Sequence, residues 1–75
     1  MDIAPPVRGI YRHYKGSLYE VIGLARHSET EEPLVVYRAL YGDYGLWVRP
    51  LAMFKETVKV QGEPVPRFEL ERPFL

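Results

Sequence analysis

Apolar residues in this chain come in short runs, alternating with polar ones or filling both faces of an extended segment. They almost never recur at the roughly 3.6-residue spacing of a helix, so the pattern predicts strands. Tyr, Val, Ile and Leu dominate residues 9–14 and 18–26. Between them Lys15-Gly16-Ser17 supplies a glycine for the positive φ of a tight connection, which makes a hairpin. Small and acidic residues ending at Pro33 reverse the chain before residues 34–41. Gly42-Asp43-Tyr44-Gly45 then returns it into residues 46–49, and four strands in meander order result. Pro50 suits the first position of a helix, and Leu51, Met53 and Phe54 allow one or two turns. Val58 and Val60, then Phe68 and Leu70, alternate as half-buried strands do, with Gln61-Gly62 turning between them. Pro64 and Pro66 each delete a ladder donor, which places this last pair short and at a sheet edge.

The chain therefore reads as all-β: a small, strongly bent antiparallel sheet or an SH3-like barrel with one short helical turn. Residues 8–70 form the single domain expected of a 75-residue chain, with residues 1–7 as lead-in and residues 71–75 as tail. Apolar residues stand on both faces of the middle strands. Leu18, Ile22 and Leu24 oppose Tyr19, Val21 and Ala25, while Leu34, Val36 and Leu40 oppose Val35, Tyr37, Ala39 and Tyr41. One small interior cannot take both sets, so the second face should meet the end segments, another copy of the chain or a ligand.

Composition removes several classes. With no cysteine there is no disulfide framework and no cysteine-rich zinc module. No apolar stretch is long enough to span a bilayer and residues 1–6 lack the layout of a secretion signal, so no membrane association and a cytoplasmic location are the default expectations. Ten basic residues balance ten acidic ones, which argues against a broad positive field for nucleic acid. A local excess remains: Arg8, Arg12, Lys15 and Arg26 face only Glu20 before Glu29, Glu31 and Glu32 cancel them.

Six tyrosines and Trp47 are the most informative residues, being flat surfaces with a polar edge that recur in binding grooves as well as in cores. His13 and His27 follow strands expected to be neighbours, with Lys15, Arg26, Glu29 and Arg49 near the same strand ends, a pH-sensitive rim if they converge. Hydrogen-bonded histidines without a further role are the plainer reading. No compact histidine spacing supports a metal set, and neither a metal nor any other cofactor is implied. Ser28 between His27 and Glu29 is no catalytic triad, because adjacent strand residues face opposite ways and no nucleophile elbow surrounds it. Trp47 and Arg49 share one face of a strand, where a guanidinium beside an indole suits a carboxylate, a phosphate or a base. Pairing of Arg49 with a surface glutamate is the alternative.

The runs Gly9-x-Tyr11-Arg12-His13-Tyr14-Lys15-Gly16, Tyr19-x-Val21, Ala25-Arg26-His27-Ser28-Glu29-Thr30, Val36-Tyr37-Arg38 and Trp47-Val48-Arg49-Pro50, with Met53-Phe54, resemble a bacterial family known as domain of unknown function 1653. The resemblance runs from about residue 9 to residue 68. It implies a small stand-alone bacterial protein with no activity attached, and it marks His13, Lys15, Arg26, His27, Glu29, Thr30 and Arg49 as the family's polar motif positions. The reading that results is a non-enzymatic recognition module. Tyr11, Tyr37 and Trp47 form an aromatic floor, and the polar positions hold a small anionic or peptide-like ligand. Single-stranded nucleic-acid binding, an enzyme using His13 or His27 as general base, and self-association into a homodimer are the alternatives.

Overall fold

The computed structural model describes residues 6–74. In chain order its elements are β1 (Gly9–His13), β2 (Leu18–Arg26), β3 (Pro33–Ala39), β4 (Leu46–Pro50), α1 (Leu51–Phe54), β5 (Thr57–Val60), β6 (Glu63–Pro66) and β7 (Phe68–Pro73). Five strands form one antiparallel sheet in the order β4-β3-β2-β1-β7, and β5 with β6 forms a separate hairpin. The four-strand meander is as expected, and so is the bent antiparallel sheet with one helical turn. Among the described residues it does not close into a barrel, because β4 and β7 remain edges.

Local chemistry explains the turns. Gly16 adopts φ 110° and its N–H donates to the His13 carbonyl, closing the β1–β2 hairpin. In the β3–β4 loop Gly42 has φ 62°. Asp43 Oδ1 accepts the Gly45 N–H at 3.2 Å, an Asx turn that aims the chain into β4. Pro50 ends β4 with φ −52° and ψ 138° and stands one place before the helix, not inside it.

Register determines which face is the core. Tyr11 pairs with Tyr19, Val21 with Tyr37, Tyr37 with Trp47, Val35 with Arg49, and His13 with Phe68, so these side chains share one side of the sheet. Tyr11, Val21, Val35 and Tyr37 pack there with Leu51 and Phe54 of α1 and Phe68 of β7. The centre of this core is aromatic: Phe54 and Phe68 stack at 4.4 Å, and Phe68 meets Tyr37 edge-on at 5.7 Å. Such pairs add about 0.5–1.5 kcal/mol each beyond the area they bury. A bulge between Val21 and Gly23 resets the alternation of β2 and brings Leu24 opposite Val35, on the inner side. The expected opposition of Leu24 to Val21 therefore does not hold.

The last third departs most from expectation. Residues 57–60 pair with residues 63–66, not with residues 68–70, through a two-residue turn in which Gln61 (φ 53°) and Gly62 (φ 83°) are both left-handed. Pro64 and Pro66 lie opposite Lys59 and Thr57, alternating with the Val58–Val65 pair, so neither missing N–H interrupts the ladder. Strand β7 crosses to β1 and continues through Pro73, where Phe74 N–H donates to the Arg8 carbonyl at 2.9 Å. Residues 71–73 are thus sheet and not tail, while Leu75 and residues 1–5 lie outside the described residues. Of the lead-in, Val7 is tied down by a 2.6 Å hydrogen bond that its carbonyl accepts from the Tyr11 hydroxyl. No helix among the described residues is long and apolar enough to cross a membrane.

Candidate functional site

Where β3 and β4 pair, the core face runs out into solvent as an aromatic ledge. Tyr37 is buried and its cross-strand neighbour Trp47 is 59% exposed. Two positions along β4, on the same face, Arg49 lies half-buried. These three, with Tyr19 of β2 and Tyr41 of the β3–β4 loop, line a shallow hollow of about 200 Å³.

Aromatic groups hold Arg49 in place. Its Nε donates to the Tyr37 hydroxyl at 3.4 Å, and its guanidinium carbon sits 5.7 Å from the centre of the Phe68 ring. Among the described residues no carboxylate lies within ion-pair distance of it. Tyr19 and Tyr41 share a hydroxyl–hydroxyl hydrogen bond of 2.8 Å. The Tyr19 phenol is pushed up to about 12, by burial first, then by the Tyr41 hydrogen bond and the charges Tyr41 and Tyr37 would carry, against the opposing pull of Arg49. It therefore stays a neutral donor and acceptor at any physiological pH. The hollow combines a cation without a counter-ion among the described residues, tyrosine hydroxyls and an open indole.

Antiparallel pairing decides which expected residues join this site. His13 packs edge-on against Phe68 at 5.0 Å and Tyr19 at 6.2 Å, behind the site, but it does not line the hollow. Its proton affinity is lowered by burial and by the positive charges of Arg67, Arg49 and Lys15. Lys15 sits in the adjacent turn with Nζ 5.8 Å from the Tyr14 ring centre. Tyr11 is as buried as Tyr37 but, unlike it, does not line the hollow, so it is a pillar of the core and not part of the floor. Burial raises its phenol above the ordinary value.

Arg26, His27, Glu29 and Thr30 do not converge with the others. His13 ends β1 beside the start of β2, whereas His27 follows the end of that nine-residue strand, roughly 25 Å away. At that far end the four residues build a turn of their own. His27 Nδ1 accepts the N–H of Glu29 at 3.1 Å and of Thr30 at 3.4 Å, and Arg26 pairs with Glu31 at 3.3 Å. His13 repeats the device, its Nδ1 accepting the Lys15 N–H at 3.2 Å. Each imidazole thus caps a turn with the nitrogen a general base would need first. No group of three or more His, Asp or Glu among the described residues could hold a metal ion.

Tyr19 and Tyr41 join the site although neither belongs to the expected set. Alternation places Tyr41 on the face of Tyr37, and the pairing of Tyr19 with Ala39 brings both tyrosines to one end of the sheet. A larger hollow of about 330 Å³ lies between the β5–β6 hairpin and β1, lined by Arg12, His13, Val60 and Glu69 among others. Its cation is already engaged, since Arg12 holds Glu71 at 2.6 Å. The ledge is the stronger candidate for an anion.

The family DUF1653, described as a protein of unknown function, matches residues 9–70. A crystal structure of a DUF1653 protein from Bordetella bronchiseptica is similar to this chain, with 43% identity and a TM-score of 0.81 over 91% of this chain and 90% of that one. No curated protein matches.

Proposed function

Since the chain belongs to DUF1653, and membership brings no activity with it, we propose from the residues themselves that it is a binding module whose Tyr37–Trp47–Arg49 face recognises a small anionic or peptide-like partner. The observation that carries this reading is Arg49, partly withdrawn from water, held by a tyrosine hydroxyl and an aromatic ring, and without a carboxylate partner among the described residues. A partly desolvated charge with no counter-ion gains from an incoming anion what a solvated surface arginine would not. Trp47 beside it offers a flat apolar surface. At about 200 Å³ the hollow is smaller than the roughly 300–1,000 Å³ of sites that enclose a whole small molecule. It suits one group of a ligand whose remainder runs across the surface, as a peptide does.

Other classes find less support. Of the four cations available to follow a nucleic-acid backbone, Arg12 and Arg26 are taken by Glu71 and Glu31. Catalysis by His13 or His27 would first have to release a turn.

Trp47 is the single tryptophan, so its emission reports the site directly. Titration with capped acidic peptides, inorganic phosphate and single-stranded oligonucleotides should give a saturable change with the acidic peptides. Arg49→Gln should weaken binding about tenfold or more, consistent with losing a charge-assisted hydrogen bond. His27→Ala should leave binding unchanged. Peptide affinity that survives Arg49→Gln, read by Trp47 emission, and Trp47→Ala, read by calorimetry because that variant has no tryptophan, would remove the reading. Tighter oligonucleotide binding that falls steeply with salt would replace it with the nucleic-acid alternative.

A further inference from the structure

The geometry of β4 points to how such a partner lies. We infer that it docks as an extended strand along the free edge of β4, antiparallel to it, with an acidic residue opposite Arg49. This rests on the reading of the Tyr37–Trp47–Arg49 face given above.

The phase of the β3–β4 ladder decides which backbone groups are free. Ala39 N–H donates to the Gly45 carbonyl at 3.1 Å, which makes that pair a hydrogen-bonded one. In an antiparallel ladder bonded and unbonded pairs alternate, so Tyr37–Trp47 and Val35–Arg49 are bonded pairs as well. The N–H and C=O groups of Leu46 and Val48 therefore point away from β3, and nothing lies beyond them in the sheet. Pro50, which has no N–H, occupies the same phase at the end of the strand, where no donor is required.

Edges are normally guarded by charged residues, prolines or bulges, because an unpaired row of donors and acceptors recruits other strands. The opposite edge, β7, is guarded in this way by Glu69, Glu71, Arg72 and Pro73. β4 carries only Arg49 before Pro50, and that side chain is turned onto the Tyr37 hydroxyl and the Phe68 ring, so Leu46 to Val48 are unguarded. Its ladder with β3 has no bulge, and Leu46, Trp47 and Val48 are 57%, 59% and 57% exposed. A strand laid there would send every second side chain onto the Trp47–Arg49 face and the others past Leu46 and Val48. Arg49 is the one charged residue of β4, so an acidic residue opposite it and an apolar or aromatic residue opposite Trp47 complete the match. Self-pairing of β4 about Val48 fits less well. It would set each Arg49 against Trp47 of the second copy and supply no anion to either guanidinium.

The probe is the capped peptide acetyl-Ser-Thr-Glu-Val-Tyr-Thr-Ser-amide, whose Glu, Val and Tyr would oppose Arg49, Val48 and Trp47. Its valine N–H would point at β4, and its glutamate and tyrosine N–H groups away. N-methylation of the valine should weaken binding about tenfold or more, whereas N-methylation of the tyrosine should change it less than about threefold. On binding, the Leu46 and Val48 amides should gain protection from hydrogen exchange. Val48→Pro, which removes an outward N–H and no hydrogen bond to β3, should abolish that binding, with the parent's urea midpoint showing that the strand still forms. Equal affinities for the two methylated peptides, with both amides unprotected, would overturn edge docking, and continued dependence on Arg49 would leave the face reading standing. Absence of any peptide binding, with Arg49→Gln silent towards all acidic ligands, would overturn both. Leu46 and Val48 amides already protected in the peptide-free protein, with sedimentation that grows with concentration, would assign the edge to a second copy and end the proposal.

Discussion

Substitution of Gly9 by alanine tests the architecture at the seam between β1 and β7. A Cβ at this position would collide with the Arg72 carbonyl and come within 2.9 Å of Pro73 Cα, both of them backbone atoms that cannot rotate aside. The two strands must therefore move apart. Their separation strains the Gly9–Pro73 and Ile10–Arg72 pairs and the hydrogen bond from Phe74 to Arg8. Overpacking of this kind costs about 1–3 kcal/mol, and each backbone hydrogen bond loosened costs a further ~1 kcal/mol. Against that, alanine restricts the unfolded chain and returns roughly 0.5–1 kcal/mol. The net expectation is a loss of about 1–3 kcal/mol. A domain of this length is typically stable by only about 4–11 kcal/mol. Gly23→Ala is the control, because a Cβ there meets nothing within 4 Å and the backbone is not left-handed. It should be neutral or stabilising by up to about 0.5–1 kcal/mol. Urea unfolding followed by Trp47 emission gives both values, and with a slope near 1 kcal/mol/M the Gly9→Ala midpoint should fall by about 1–3 M. If the two variants unfold at the same urea concentration, the β1–β7 seam does not close as described.

Other perturbations follow from the turns. His13 binds its proton less readily in the folded chain than at its ordinary 6.5, so protonation favours the unfolded chain. Its contribution is complete above pH 6.5 and is lost as the pH falls through the window below it. His13→Asn keeps a side-chain acceptor for the turn and should flatten that part of the stability profile, as read by thermal unfolding between about pH 5 and pH 8. A profile identical to the parent's would show that His13 does not carry it. Gln61 holds φ 53° in the β5–β6 turn, a conformation that costs a side chain about 1–2 kcal/mol. Gln61→Gly should therefore raise the urea midpoint, or at least leave it unchanged once the entropy cost of glycine is subtracted. A clear fall would mean the turn is held by something other than its backbone.

Local pattern predicted strands β1 to β4 because each is bounded by residues that act over a few positions, such as Gly16 and the Asx turn of Asp43. It could not show that β7 would leave the β5–β6 hairpin and pair with β1. That choice is made between segments far apart in sequence, and nothing in the alternation of Phe68 and Leu70 encodes it. The bulge at Val21–Gly23 is invisible for a related reason: inserting one residue shifts every later side chain of β2 to the other face without altering the composition. The site divides along the same line. Tyr37, Trp47 and Arg49 could be read from period-two spacing and hairpin pairing. The proposed union of His13 with His27 failed on strand direction, since neighbours that run antiparallel bring the end of one to the start of the next.

Arg12 and Glu71, joined across the seam, are separated by 59 residues of chain. The last strand also supplies Phe68, the ring at the middle of the aromatic core. A nascent polypeptide can thus form its early hairpins on the ribosome, but it cannot fill its interior until residues 68–73 have cleared the exit tunnel. Until then the edge of β1 that β7 will cover is unpaired, the kind of edge that recruits other strands. Loop closure over so long a span slows the final step, as high contact order does generally.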